Sequence, residues 1–195
     1  MTPAPLVRAR HLISLLEHVD KLHEAARRQV RTEVGPAVLA EIEASAGPDW
    51  IPFALDVAIT HAIVRGLGPA GADRFFREQQ LASFRSPLLR TLVDSATAIF
   101  GLDPSSWVRW IPRGWNAVFR DCGRWEIDRS DRRGEVDLAL VAPPAGCLDD
   151  EIWLRSLASS FSSMLVLAKV EGEFVVDHVD RVRGAACYRL RWRVG

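Results

Sequence analysis

The spacing of apolar positions changes partway along the chain, and that change divides it. From His11 to about Ala46, Leu12, Leu15, Leu16, Val19, Leu22 and Ala26 recur at i, i+3, i+4 and i+7, the spacing of one helix face. Gly35-Pro36 splits this stretch into two helices, because proline lacks the donor a helix interior needs. Gly47-Pro48-Asp49 is a loop, and Trp50-Ile51-Pro52 starts the next element. Helical spacing resumes over 52–65 and ends at Gly66-Leu67-Gly68-Pro69, where glycine can take a left-handed cap. Further helices are predicted over 70–82 and 86–100. Another, opened by Asp103-Pro104-Ser105 and kinked or split at Pro112, carries Trp107, Trp110, Ile111, Trp115, Val118 and Phe119. Beyond Cys122-Gly123 the period falls to two.

Residues 124–128, 134–142, 172–180 and 185–194 read as strands, with Asp131-Arg132-Arg133-Gly134 joining the first two. Between the pairs, 150–170 is helical, with Asp149 or Asp150 as its N-cap. The pattern predicts an α+β fold: an N-terminal helical half packed on a C-terminal antiparallel sheet of ββαββ plan. With 195 residues the chain is long enough for one domain with a real core, so residues 1–195 are read as a single domain and residues 1–10 as a flexible tail.

Charge narrows the partners. The formal net charge is zero, which argues against a general electrostatic hold on nucleic acid or on an anionic membrane. No apolar run reaches the ~18–20 residues of a membrane span, and the N-terminus has no secretory pattern. Cys122, Cys147 and Cys187 are odd in number and widely spaced, as free thiols of a reducing cytoplasm would be. The expected location is cytoplasmic.

The 150–170 helix, the charged hairpin and the closing Cys187-Tyr188-Arg189-Leu190-Arg191-Trp192 come with Trp50, Gly66, Gly68, the Pro112–Trp115 stretch and Gly123. Together they resemble the superfamily of 4-vinyl-reductase and haem nitric-oxide-binding domains. Within it, residues 20–194 are most similar to a myxobacterial family of paralogues of about this length and of unknown function. The resemblance implies a helical layer on a four-stranded antiparallel sheet, with a pocket between them. Haem in the nitric-oxide sensors depends on a proximal histidine and a Tyr-x-Ser-x-Arg motif. The single tyrosine here, Tyr188, is followed by Arg189-Leu190-Arg191, so leucine stands where the serine would be. On a strand, Tyr188, Leu190 and Trp192 share one face and the arginines the other. No cofactor is expected.

Few residues make a case for chemistry. His11, His18 and His23 lie on a helical stretch with no metal-ligand spacing, and His61 stands alone. Cys122, Cys147, His178 and Cys187 form the one candidate metal set, with His178 and Cys187 facing each other across a hairpin. Ser156, Ser159, Ser160 and Ser163 fall beside an apolar stripe and read as close-packing residues. Glu135 and Asp137 on one strand and Arg189, Arg191 and Arg193 on another read as a charged outer face, and no catalytic residue is assigned. Seven tryptophans are many for this length, and Trp107, Trp110 and Trp115 are candidates to line a ligand pocket or a dimer surface. The reading is a non-enzymatic sensory or adaptor domain. It is expected to homodimerise through helices and to take a small apolar ligand or a protein partner. The alternative is a zinc-dependent sensor or enzyme using the Cys/His set.

Overall fold

The computed structural model describes residues 4–84, 104–128 and 133–193. The predicted helix over 86–100, Asp103 and the Asp131-Arg132 part of the hairpin connection lie outside the described residues. The chain opens with strand β1 (Leu6–Arg8) and helices α1 (Ala9–Val19), α2 (Glu24–Val34) and α3 (Pro36–Glu43). Strand β2 (Trp50–Pro52) and the long helix α4 (Ala54–Phe84) follow, then α5 (Pro104–Val108), α6 (Ile111–Val118) and β3 (Phe119–Arg120). The second half comprises β4 (Arg124–Asp128), β5 (Glu135–Val141), α7 (Glu151–Phe161), α8 (Ser163–Ala168), β6 (Gly172–Asp180) and β7 (Ala185–Trp192).

The four-stranded antiparallel sheet has the order β4-β5-β7-β6, so the ββαββ plan holds, with hairpin pairs joined through α7 and α8. Alternation sets its faces. Tyr188 and Leu190 are buried on the inner face, whereas Arg189 and Arg191 lie on the outer one. There Arg189 pairs with Asp137 at 2.8 Å and with Asp177 at 2.8 Å, and Arg191 reaches Glu135 at 3.2 Å. Asp137 and Glu135 are the cross-strand neighbours dictated by register, opposite Arg189 and Arg191, whereas Asp177 sits at a bulge in β6.

Three features depart from the sequence reading. Residues 6–10 are not a tail: β1 is the middle strand of a second, three-stranded sheet of order β2-β1-β3, and Val7 is fully buried. Arg8 and Arg120 lie against the Trp50 ring, at 3.9 and 4.3 Å from its centroid, and hold that sheet together from outside. The first helical stretch breaks at 20–23 as well as at Gly35, because the His23 side chain accepts the Ala26 N–H and starts α2. The 150–170 helix is divided at Ser162.

Helix α4 carries the junction between the halves. The Cβ of any other residue at Gly66 would lie 2.6 Å from Val30 Cγ2, so glycine there lets α2 and α4 touch. Two residues on, Gly68 has φ +70° and ψ 166°, and Pro69 follows, so the helix is broken between 54–67 and 69–84. The first part buries Leu55, Asp56, Ile59 and Ile63, and the second Ala72, Phe75, Phe76 and Gln79. Both parts enter one core cluster that continues through Trp115 and Trp153 to Leu138, Tyr188 and Leu190 of the sheet.

The backbone of Gly68 lies in a region essentially confined to glycine, and forcing a side chain there costs of order 1–3 kcal/mol. Gly114, inside α6 and with no atom within 4 Å of a built Cβ, is the control; alanine there should stabilise by about 0.5–1 kcal/mol. Denaturant unfolding of Gly68→Ala and Gly114→Ala should therefore shift in opposite directions.

Candidate functional site

Several of the polar groups of the interior gather where α4 meets α7. Asp56 is 3 % exposed and sits on the α4 face that also carries Ile59, Thr60 and Ile63. Its Oδ2 accepts the Trp153 indole N–H at 2.9 Å, and its Oδ1 lies 3.3 Å from His11 Nε2. Trp153 is fully buried and meets Phe53 edge-on at 5.3 Å. A turn further along α4, His61 Nε2 reaches both oxygens of Asp150 at 2.8 and 2.9 Å. Asp150 also accepts the Trp153 backbone N–H, so one carboxylate caps α7 and ties it to α4.

Beyond the break at Gly68 a third tie forms. Asp73 Oδ1 accepts from Arg155 Nε at 3.1 Å and from Ser159 Oγ at 2.7 Å, and Asp73 Oδ2 accepts from Arg155 again. Burial works to raise the Asp73 pKa, but the hydrogen bonds from Arg155 and Ser159 outweigh it and hold the carboxyl below its usual range. Between the ties lies a cleft of about 160 Å³, lined by Val64, Pro69, Ala72, Asp73, Phe76, Glu151, Ile152, Arg155 and Ser156. The break in α4 positions it: Val64 precedes Gly68, whereas Ala72 and Phe76 follow it.

The residues singled out in the sequence are dispersed. Trp107 is buried on α5, and its indole N–H meets no acceptor among the described residues. Trp110, between α5 and α6, is 42 % exposed with Arg113 against its ring. Trp115 is buried, stacks on Phe119 at 4.1 Å and donates to the Gly123 carbonyl at 3.2 Å. The turn between α5 and α6 separates the three. The sheet divides the Cys/His set as well: Cys122 and Cys147 lie in the main core, while Cys187 packs with Ala139, Val141 and Ala185 on the outer face. His178 stands opposite Cys187 in register, but its Nδ1 binds Asp177 at 2.8 Å. Among the described residues no three His, Cys, Asp or Glu side chains converge on a metal position. Ser156 and Ser163 are buried as close-packing residues, and Ser156 donates to the Trp153 carbonyl at 2.7 Å.

Asp56, His61 and Asp73 were missed in the sequence. The signal for Asp56 was present, since an acid that shares a helix face with Ile59 and Ile63 has to be buried with a partner.

Three solved structures resemble this chain over nearly all its length. An iron(II) unliganded H-NOX protein from K. algicida, in a mutant form, gives a TM-score of 0.61 at 6 % identity, covering 96 % of this chain and 97 % of that one. A doubly mutated Tt H-NOX gives 0.60 at 10 % identity over 96 % and 95 %, and a Cs H-NOX mutant 0.59 at 9 % over 96 % and 97 %. The fold is H-NOX-like. No protein-family model and no curated protein matches the sequence. At such identities the likeness establishes the fold alone.

The residues present do not fit haem. All five histidines and the single tyrosine lie among the described residues. His11, His61 and His178 face carboxylates, and His23 caps α2. His18 stands edge-on to Phe75 at 4.9 Å, its Nδ1 buried without a partner. Its pKa is lowered, chiefly by burial and further by Lys21, against a smaller opposing effect of Glu78. Tyr188 is 1 % exposed with its hydroxyl directed at the Leu154 carbonyl, 3.4 Å away, and burial raises its pKa. The interior beside it is filled by ring contacts of Trp125 with Tyr188, Phe161 and Trp115, at 5.0, 5.3 and 5.9 Å between centroids.

Burial also pushes the Cys122 and Cys147 thiols up to about 12. At pH 8 such a thiol is ionised to about one part in ten thousand, and the thiolate is the reacting form. Burial raises the Cys187 thiol as well, but Cys187 is partly exposed whereas the other two are buried, so a disulfide-exchange reagent should modify one thiol per folded chain, Cys187, and reach the other two only with unfolding. Two or more fast thiols would show that the core around Cys122 and Cys147 is open.

Proposed function

We propose that this chain is a non-enzymatic sensory or adaptor domain that uses an H-NOX-like fold without haem. It takes a small, largely apolar ligand between helices, engages a protein partner, and homodimerises. The cleft at the break of α4 carries this reading. Its floor is apolar, its rim is polar, and it sits among the contacts that join the helical half to the sheet half. A molecule seated there touches both parts of α4 and the start of α7, so its binding energy acts on the angle between them.

For a partner or a second copy, the exposed apolar side chains are the natural contact. Trp110 lies two residues past α5, and Val166 is 48 % exposed on α8, the helix that α5 packs against. The set Cys122, Cys147, His178 and Cys187 serves a zinc function poorly, because its members are on opposite faces of the sheet.

Native mass spectrometry with an absorption spectrum, both on freshly purified protein, tests the reading. The expected result is a dimer without a Soret band and without stoichiometric zinc, with any retained mass that of a small organic molecule. A Soret band that survives reconstitution and gel filtration would overturn it. So would one zinc per chain that is lost in Cys122→Ser.

A further inference from the structure

The cleft at the α4 break has a chemistry specific enough to name a ligand class, and this step rests on the reading of the chain as a ligand-binding domain. We infer that the cleft takes a small organic ammonium ion whose apolar body is about the size of a benzene ring. Size comes from the volume. The cleft measures about 160 Å³, and an apolar cavity of about 150 Å³ admits benzene. Val64, Ala72, Phe76 and Ile152 supply the apolar walls.

The charge preference follows from which groups remain unpaired. Asp73 and Arg155 neutralise each other through two hydrogen bonds, and Ser159 takes a further place on Asp73. Ser156 is engaged with the Trp153 carbonyl. The positive pole at the start of α7, which would favour an anion, already faces the Asp150 carboxylate through the Trp153 N–H. Glu151 is left. It is exposed in the first turn of α7, lines the cleft, and forms no ion pair among the described residues. Among the side chains that line the cleft, the charge left over at the mouth is therefore negative; Arg77, one turn along α4, acts on Asp73 from outside the lining. An ammonium group there stays in contact with water and with Glu151 while the apolar body is withdrawn from solvent, so no charge is desolvated.

Three probes with one body and different charge separate these effects: benzylamine, benzyl alcohol and benzoate, each titrated into the full-length protein and followed by amide chemical shifts. Benzylamine should give saturable shifts at Val64, Ala72 and Ile152, benzyl alcohol weaker binding at the same residues, and benzoate the weakest. Glu151→Gln, a surface change that leaves the core intact, should weaken benzylamine about three- to fivefold and leave benzyl alcohol unchanged. Benzoate binding as tightly as benzylamine would overturn the proposal. So would a loss in Glu151→Gln that is equal for both other probes, or the absence of cleft shifts with all three. If the purified protein nonetheless retains a small organic mass, only this site fails and the sensory reading stands.

Discussion

A carboxylate placed in an apolar interior has to be paired, and in this protein that requirement sets the position of α4 against α7. Asp56 has almost no access to solvent, and it is satisfied by the indole N–H of Trp153 and by His11. Leaving a buried polar group without its hydrogen-bond partner costs about 1–3 kcal/mol, a large share of a domain's stability. Because Trp153 has one N–H and is fully buried, the contact fixes both the rotation of α7 and its height along α4. Helix α7 covers the inner face of the four-stranded sheet, so the same contact holds the helical half on the sheet. His61–Asp150 on one side and Asp73–Arg155 on the other repeat the tie, and Gly68 lets the far part of α4 change direction to reach the last of them.

Function follows from how these groups are engaged. Most titratable side chains of the interior are bound to one another, the two core thiols are held protonated, and aromatic rings fill the described space beside Tyr188. Among the described residues the cleft at the break is one of the open sites, and it is the one lined by both parts of α4 together with α7.

The sheet was legible because an eight-residue strand such as β7 shows alternation, and alternation assigned the Arg189/Arg191 face correctly. A break within Gly66–Pro69 and an aspartate cap at 149 or 150 were legible from residue chemistry; the structure puts them at Gly68 and Asp150. β1, β2 and β3 were not, since strands of two or three residues are too short to display a period, and a proline-containing start hid Val7 in an apparent tail. Trp107, Trp110 and Trp115 fall on α5, on the turn after it and on α6, a division that i, i+3 spacing does not reveal. The Cys/His set failed for a related reason: distance along the chain carries no information about which face of a sheet a residue meets. Asp56 was readable in principle as an acid within an apolar stripe, whereas its pairing with Trp153, 97 positions away, needed the fold.

The central claim is that the buried contact between Asp56 and Trp153 holds the two halves together. A double-mutant cycle on unfolding free energy, with Asp56→Ala, Trp153→Phe and the double variant, measures it most directly. The account predicts a coupling of about 1.5–3 kcal/mol, the range for a hydrogen bond to a charged group. A coupling below about 0.5 kcal/mol, the level at which independent sites simply add, would contradict it.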